Sequence, residues 1–153
     1  MKIKHLIAGL LMSAVASGAM AQNAPSADDL IKWRQSLHQV LAWNMGRLKA
    51  NVGGQYNKAQ AQKAANLIAA IANSGMGELY APGTEKGNKV KTKMKPEMLT
   101  DAEGVKKAAM AFSQEANELA KVVNGGGDAS AVKSQLGKLG GTCKGCHDDF
   151  IFK

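Results

Sequence analysis

Between Val132 and Phe150 the side chains Val132, Leu136, Leu139, Cys143, Cys146 and Phe150 recur at i, i+4, i+7, i+11, i+14 and i+18. That is the spacing of one buried face of an α-helix. The stripe runs through Cys143-Lys144-Gly145-Cys146-His147, a C-x-x-C-H run, which is the attachment signature of a c-type haem. Helix positions i, i+3 and i+4 are neighbours, so both thiols and the imidazole reach one side of a single porphyrin. Each thiol can add to a haem vinyl group, and His147 can ligate the iron. A fold built on this helix therefore has to bury its own aliphatic side chains and a prosthetic group along the same line.

Other chemistries fit the motif less well. Two thiols and one imidazole are one ligand short of a structural zinc site, which normally has four, and no second Cys or His pair completes the set. A redox dithiol of the thioredoxin kind needs a strand-to-helix context, and no strand alternation precedes the motif.

The N-terminus points to export. Lys2 and Lys4 precede an apolar run from Leu6 to Val15, and Ala19-Met20-Ala21 is a small-x-small cleavage signal. The run is too short for stable membrane insertion. Residues 1–21 are read as a signal peptide and residues 22–153 as one haem domain in the periplasm, starting at Gln22 and long enough for its own core. Losing Lys2 and Lys4 lowers the formal charge of +8 by two, to +6. A moderately basic surface favours an acidic redox partner. Aromatic residues do not interleave with the basic ones, which argues against nucleic acid.

Four helices are expected after the signal. Ser26 and Asp29 resemble a capping box ahead of Leu30, Leu37, Leu41 and Leu48, giving a first helix over about 27–51. Asn57 caps a second, Ala-rich helix with Ala64, Leu67, Ile68 and Ile71 on its face, ending near Asn73-Ser74-Gly75. From Gly75 to Met98 the pattern dissolves into Gly, Pro and Lys, read as a long solvated crossover loop whose lysines (Lys86, Lys89, Lys91, Lys93, Lys95) offer a docking surface as the alternative. Thr100 and Glu103 form a capping box for a third helix carrying Val105, Ala108, Phe112, Ala116, Leu119 and Val123. Gly125-Gly126-Gly127 ends it, and Asp128 caps the fourth. The fold class is all-α, an antiparallel four-helix bundle with one haem in its interior.

At this point the chain resembles the class II cytochromes c, that is, cytochrome c prime and its low-spin relatives. The resemblance spans the mature chain. It rests on a C-x-x-C-H motif close to the C-terminus on the last helix, on Trp33-Arg34-Gln35, on Met45-Gly46-Arg47 and on Pro82-Gly83-Thr84-Glu85. It implies one covalent haem c held by Cys143, Cys146 and His147. It also implies Arg34 near a haem propionate, a weaker polar contact from Gln35 and an aromatic contact from Tyr80. Guanidinium can bind a carboxylate through two charge-assisted hydrogen bonds, which agrees with the role implied for Arg34.

The family's distal position, four residues after that arginine, is His38 here, where the resemblance leads one to expect an apolar residue or a methionine. Neutral imidazole is a strong iron ligand, so the expectation is six-coordinate iron between His147 and His38, with Met45 a weaker candidate on the same face. Where the family often has Arg or Lys four residues after the ligating histidine, this chain has Ile151. The expected function is single-electron transfer and not enzymatic turnover. The alternative is a high-spin protein binding nitric oxide or carbon monoxide, and a third reading is a peroxidase-like site with His38 as base. The resemblance further implies a homodimer through helices one and two.

Overall fold

Ser26 ends an extended lead-in and starts the first helix. Its hydroxyl accepts the Asp29 N–H at 3.2 Å and donates to the Asp29 carboxylate at 2.6 Å, satisfying one of the helix's unpaired N-terminal donors. In the computed structural model, which describes residues 24–153, this helix (α1) spans Ala27–Gly53. The expected signal segment 1–21 and its cleavage after Ala21 lie outside the described residues. Helix α2 covers Lys58–Ala72 with Asn57 as its cap. A 3-10 turn follows at Met76–Leu79, then the single helical turn α3 at Glu97–Thr100. Helices α4 (Ala102–Asn124) and α5 (Ala129–Phe150) complete the bundle.

Two asparagine pairs fix how α2 and α4 lie. Asn66 bonds Asn124 at 2.8 Å and Asn73 bonds Asn117 at 2.8 Å. Moving seven residues forward along α2 matches seven residues backward along α4, which is an antiparallel register. Tight links at Asn57 and at Gly126, whose φ of +89° needs glycine, turn α1 into α2 and α4 into α5.

The core of the bundle is built from Leu48, Ala64, Ala65, Ile68, Ala116, Leu119, Val123, Val132 and Leu139, all essentially inaccessible to solvent. The α5 stripe read from sequence is buried as expected at Val132, Leu136, Leu139 and Phe150, with the cysteines half-buried. The expected face of α1 is corrected. It buries Ile31, Arg34, Leu41, Asn44 and Leu48, while Leu30 and Leu37 are only partly covered. The early part of α1 packs partly on the crossover, where Arg34 finds its partners and takes a buried position, whereas buried Asn44 bonds within α1 to the Val40 carbonyl and Arg47. On α2, Leu67 is exposed and alanines take the interior.

The crossover is not a free solvated loop. The Asp28 carboxylate accepts the N–H groups of Asn88 and Lys89 at 2.9 Å and of Val90 at 3.3 Å. Gln35 donates to the Lys91 carbonyl at 2.8 Å. At the other end, Met94 forms a single antiparallel bridge with Ile151, and the Lys95 ammonium donates to the carbonyls of Asp148 (2.8 Å) and Asp149 (3.0 Å). A cation there also suits the negative end of the α5 dipole. Met94, Met98 and Phe150 form a second small core under this strap.

The third-helix cap also differs from expectation. Asp101, not Thr100, accepts the Gly104 N–H at 2.9 Å, because Thr100 belongs to the α3 turn that Pro96 starts.

Candidate haem site

The last two turns of α5 carry Cys143, Cys146 and His147. Both cysteines are free thiols and half-buried, and burial pushes both thiol pKa values up, with Thr142 opposing at Cys143. Facing them across a gap is His38 of α1. The rings of His38 and His147 stand edge to face with centroids 6.3 Å apart.

Two cavities meet at this gap. One, of about 150 Å³, is walled chiefly by apolar side chains, among them Leu41, Met76, Val105 and Phe112. The other, of about 480 Å³, opens toward Arg34, Gln35, Lys91 and Lys93. His38, Tyr80, Met98, Cys146 and His147 line both. One end is apolar and the other basic, as a haem requires, since its macrocycle is apolar and its propionates are anionic. The donor set fits as well: two thiols and an imidazole on one side of the space, with no group of three or more His, Cys, Asp or Glu side chains converging as a metal site of its own among the described residues. Gly137, Gly140, Gly141 and Gly145 of α5 stand where an added Cβ would meet nothing within 4 Å.

Arg34 is 96% buried, with 4% of its surface left exposed, and its fork is occupied by the protein itself. One terminal nitrogen donates to the Leu79 carbonyl (3.3 Å) and the Thr84 hydroxyl (2.7 Å). The other donates to the Thr84 carbonyl (2.6 Å) and the Thr92 hydroxyl (2.7 Å). Its guanidinium also lies over the Tyr80 ring, 5.2 Å from the centroid. Sequence reasoning found Arg34 but missed Thr84 and Thr92 as its partners. The only signal was the Pro82-Gly83-Thr84-Glu85 run. It also missed Met98 and Met76 as walls, although Met94 and Met98 are, with Val90, the apolar positions in a lysine-rich segment.

The second-ligand expectation for His38 is not supported. Its Nε2 lies 2.7 Å from the Tyr80 hydroxyl, so the nitrogen that would bind iron already has a partner. Desolvation by the side chains packed around the ring, followed by the nearby His147 and Arg34, lowers the His38 pKa, although the residue keeps a solvent-exposed side. Burial, with Cys146 adding to it and Arg34 opposing, pushes the Tyr80 hydroxyl up to about 12. Met45 packs against the main core and lines neither of these cavities.

Comparison with known proteins agrees with this geometry. The family model described as Cytochrome C' matches residues 29–151. The chain is 62% identical over 126 residues to the cytochrome c' of Rhodocyclus tenuis, covering 81% of this chain and 94% of that one. It is 46% identical over 156 residues to the cytochrome c' of Allochromatium vinosum, covering 99% and 100% respectively. Among solved structures, a cytochrome c' with ligand-controlled dimer dissociation superposes with a TM-score of 0.82 at 48% identity, over 85% of this chain and 99% of that one. On the family match, the identities and the bundle itself, the chain belongs to the cytochrome c' family, four-helix proteins with one covalently bound c-type haem.

Proposed function

We propose that this chain is an exported cytochrome c' whose haem iron is five-coordinate and binds nitric oxide or carbon monoxide on the side facing His38. Cys143 and Cys146 would hold the haem through two thioethers, and His147 would ligate its iron. When bound, the haem would supply an iron that changes oxidation state by one electron and can bind a diatomic gas. The observation that carries the reading is the hydrogen bond between His38 Nε2 and the Tyr80 hydroxyl at 2.7 Å, beside a cavity walled by Leu41, Val105 and Phe112. Apolar walls suit a small neutral gas better than an anion, which would lose its hydration there. Two solved structures of the Alcaligenes xylosoxidans cytochrome c', each 28% identical to this chain, are a ferrous variant with bound nitric oxide and a variant with bound carbon monoxide.

Electron transfer is the second reading, favoured by Lys91 and Lys93 at the mouth of the larger cavity. They would steer an acidic redox partner to the haem edge. Gln35 and Arg34 then support the site by holding the crossover in place, and Tyr80 by contacting His38. Exposed Trp33, Val40 and Trp43 on α1 and Leu67 on α2 form the face of a homodimer. No helix among the described residues is long and apolar enough to cross a membrane, and residues 1–21 direct the chain to the periplasm, leaving residues 22–153 as the haem domain.

The test is the optical and electron paramagnetic resonance spectrum of periplasmic holoprotein. High-spin bands in both oxidation states and saturable binding of carbon monoxide to the ferrous form are expected. Low-spin bands in both states would refute the five-coordinate reading.

A further inference from the structure

We infer that Tyr80 is a positioning residue that holds the His38 imidazole away from the iron, keeping the distal side free for a gas; this rests on the five-coordinate reading above. The Tyr80 hydroxyl and His38 Nε2 are 2.7 Å apart. A phenol is a stronger acid than the N–H of a neutral imidazole, so the O–H donates and the Nε2 lone pair accepts. Iron ligation needs that same lone pair.

One neutral hydrogen bond is a weak restraint by itself. Its leverage comes from how firmly Tyr80 is held. The Tyr80 backbone N–H donates to the Gly77 carbonyl at 3.1 Å, in a turn entered through Gly75 at φ +81°. The ring packs against the Met94, Met98 and Phe150 cluster and lies under the Arg34 guanidinium. Arg34 is in turn fixed by Thr84 and Thr92. Arg34 and His38 are one helical turn apart on α1. The helix thus grips the same tyrosine twice, by its ring and by its hydroxyl. To ligate iron, His38 Nε2 has to give up its bond to this partner.

The experiment compares haem-loaded wild type, Tyr80→Phe and the double variant Tyr80→Phe/His38→Ala by absorption, paramagnetic resonance and carbon monoxide titration. Wild type is expected to be high-spin. Tyr80→Phe is expected to become largely low-spin, with apparent carbon monoxide affinity reduced about tenfold or more, because the gas must compete with His38. The double variant is expected to return to high spin and recover the affinity. A Tyr80→Phe protein that stays high-spin overturns the inference and leaves the five-coordinate reading standing. A low-spin wild type overturns both. A double variant that stays low-spin also overturns the inference, because the new ligand is then not His38. Circular dichroism checks that each variant is folded. Independently of any variant, proton NMR of the diamagnetic ferrous carbon monoxide form should show the Tyr80 hydroxyl proton close to the His38 ring, and its absence there counts against the inference equally.

Discussion

The two ends of α4 carry the same kind of apolar face and meet different surroundings. Ala116, Leu119 and Val123 are completely buried, whereas Val105, Ala108 and Phe112, earlier on the same stripe, are only partly covered. The C-terminal half of α4 shares a core with Leu48, Ile68, Val132 and Leu139. The N-terminal half faces a cavity bounded by His38, Cys143, Cys146 and His147. The closed half is sealed by protein alone. The open half has an apolar wall without an aliphatic filler, which is the arrangement a haem-binding bundle needs. Close packing of side chains is worth most where no void remains, so the closed half supplies stability and the open half supplies a site.

The strongest way to break this comparison is to withhold the haem. Replacing Cys143 and Cys146 by Ala should leave α4 amides protected near Leu119 and Val123 and exchange-labile near Val105 and Phe112 in hydrogen-exchange mass spectrometry. Equal protection of both halves would show that the open end closes without haem. Next in size, Leu119→Ala should cost about 2–5 kcal/mol in denaturant unfolding with an unchanged visible spectrum. Phe112→Ala, whose ring is already partly exposed, should cost less and instead change the carbon monoxide on-rate measured by stopped flow. A Leu119→Ala protein with an altered on-rate would merge the two halves functionally.

Arg34→Lys tests the strap over the open half. An ammonium cannot reproduce a planar fork with four bonds, so a loss of about 1–3 kcal/mol and faster proteolysis within residues 84–92 are expected. Resistance equal to wild type would mean that Asp28 and Gln35 hold the crossover unaided. The smallest effect concerns the start of α4. Asp101→Ala should cost about 1 kcal/mol through loss of the cap, and Thr100→Val less than about 0.5 kcal/mol. The reverse order in thermal melts would reinstate Thr100 as the cap.

Much of the closed half was legible in the sequence. Helical spacing located the α5 stripe, and Ser26, Asn57 and Asp128 marked three of the four long-helix starts as observed. The crossover was least legible. A run of Gly, Pro and Lys reads as solvated because its own residues supply no apolar period, yet its backbone groups pair with Asp28, Gln35 and Phe150, and its Lys95 ammonium with the Asp148 carbonyl at the end of α5. Those partners lie far away in the chain and belong to no local pattern.

The site divides the same way. Cys143, Cys146 and His147 are adjacent in sequence and share a helix face by geometry that any helix imposes, so the sequence alone determined that they come together. The sequence also determined that the chain is a helical bundle, because periodicity and caps are local properties. Only the tertiary structure decided what His38 does. Its Nε2 could ligate a metal or accept a hydrogen bond, and which partner it meets depends on the path of the crossover that brings Tyr80, 42 residues away, to 2.7 Å. The strength of a ligand is written in its side chain, but its availability is set by whatever the fold places next to it.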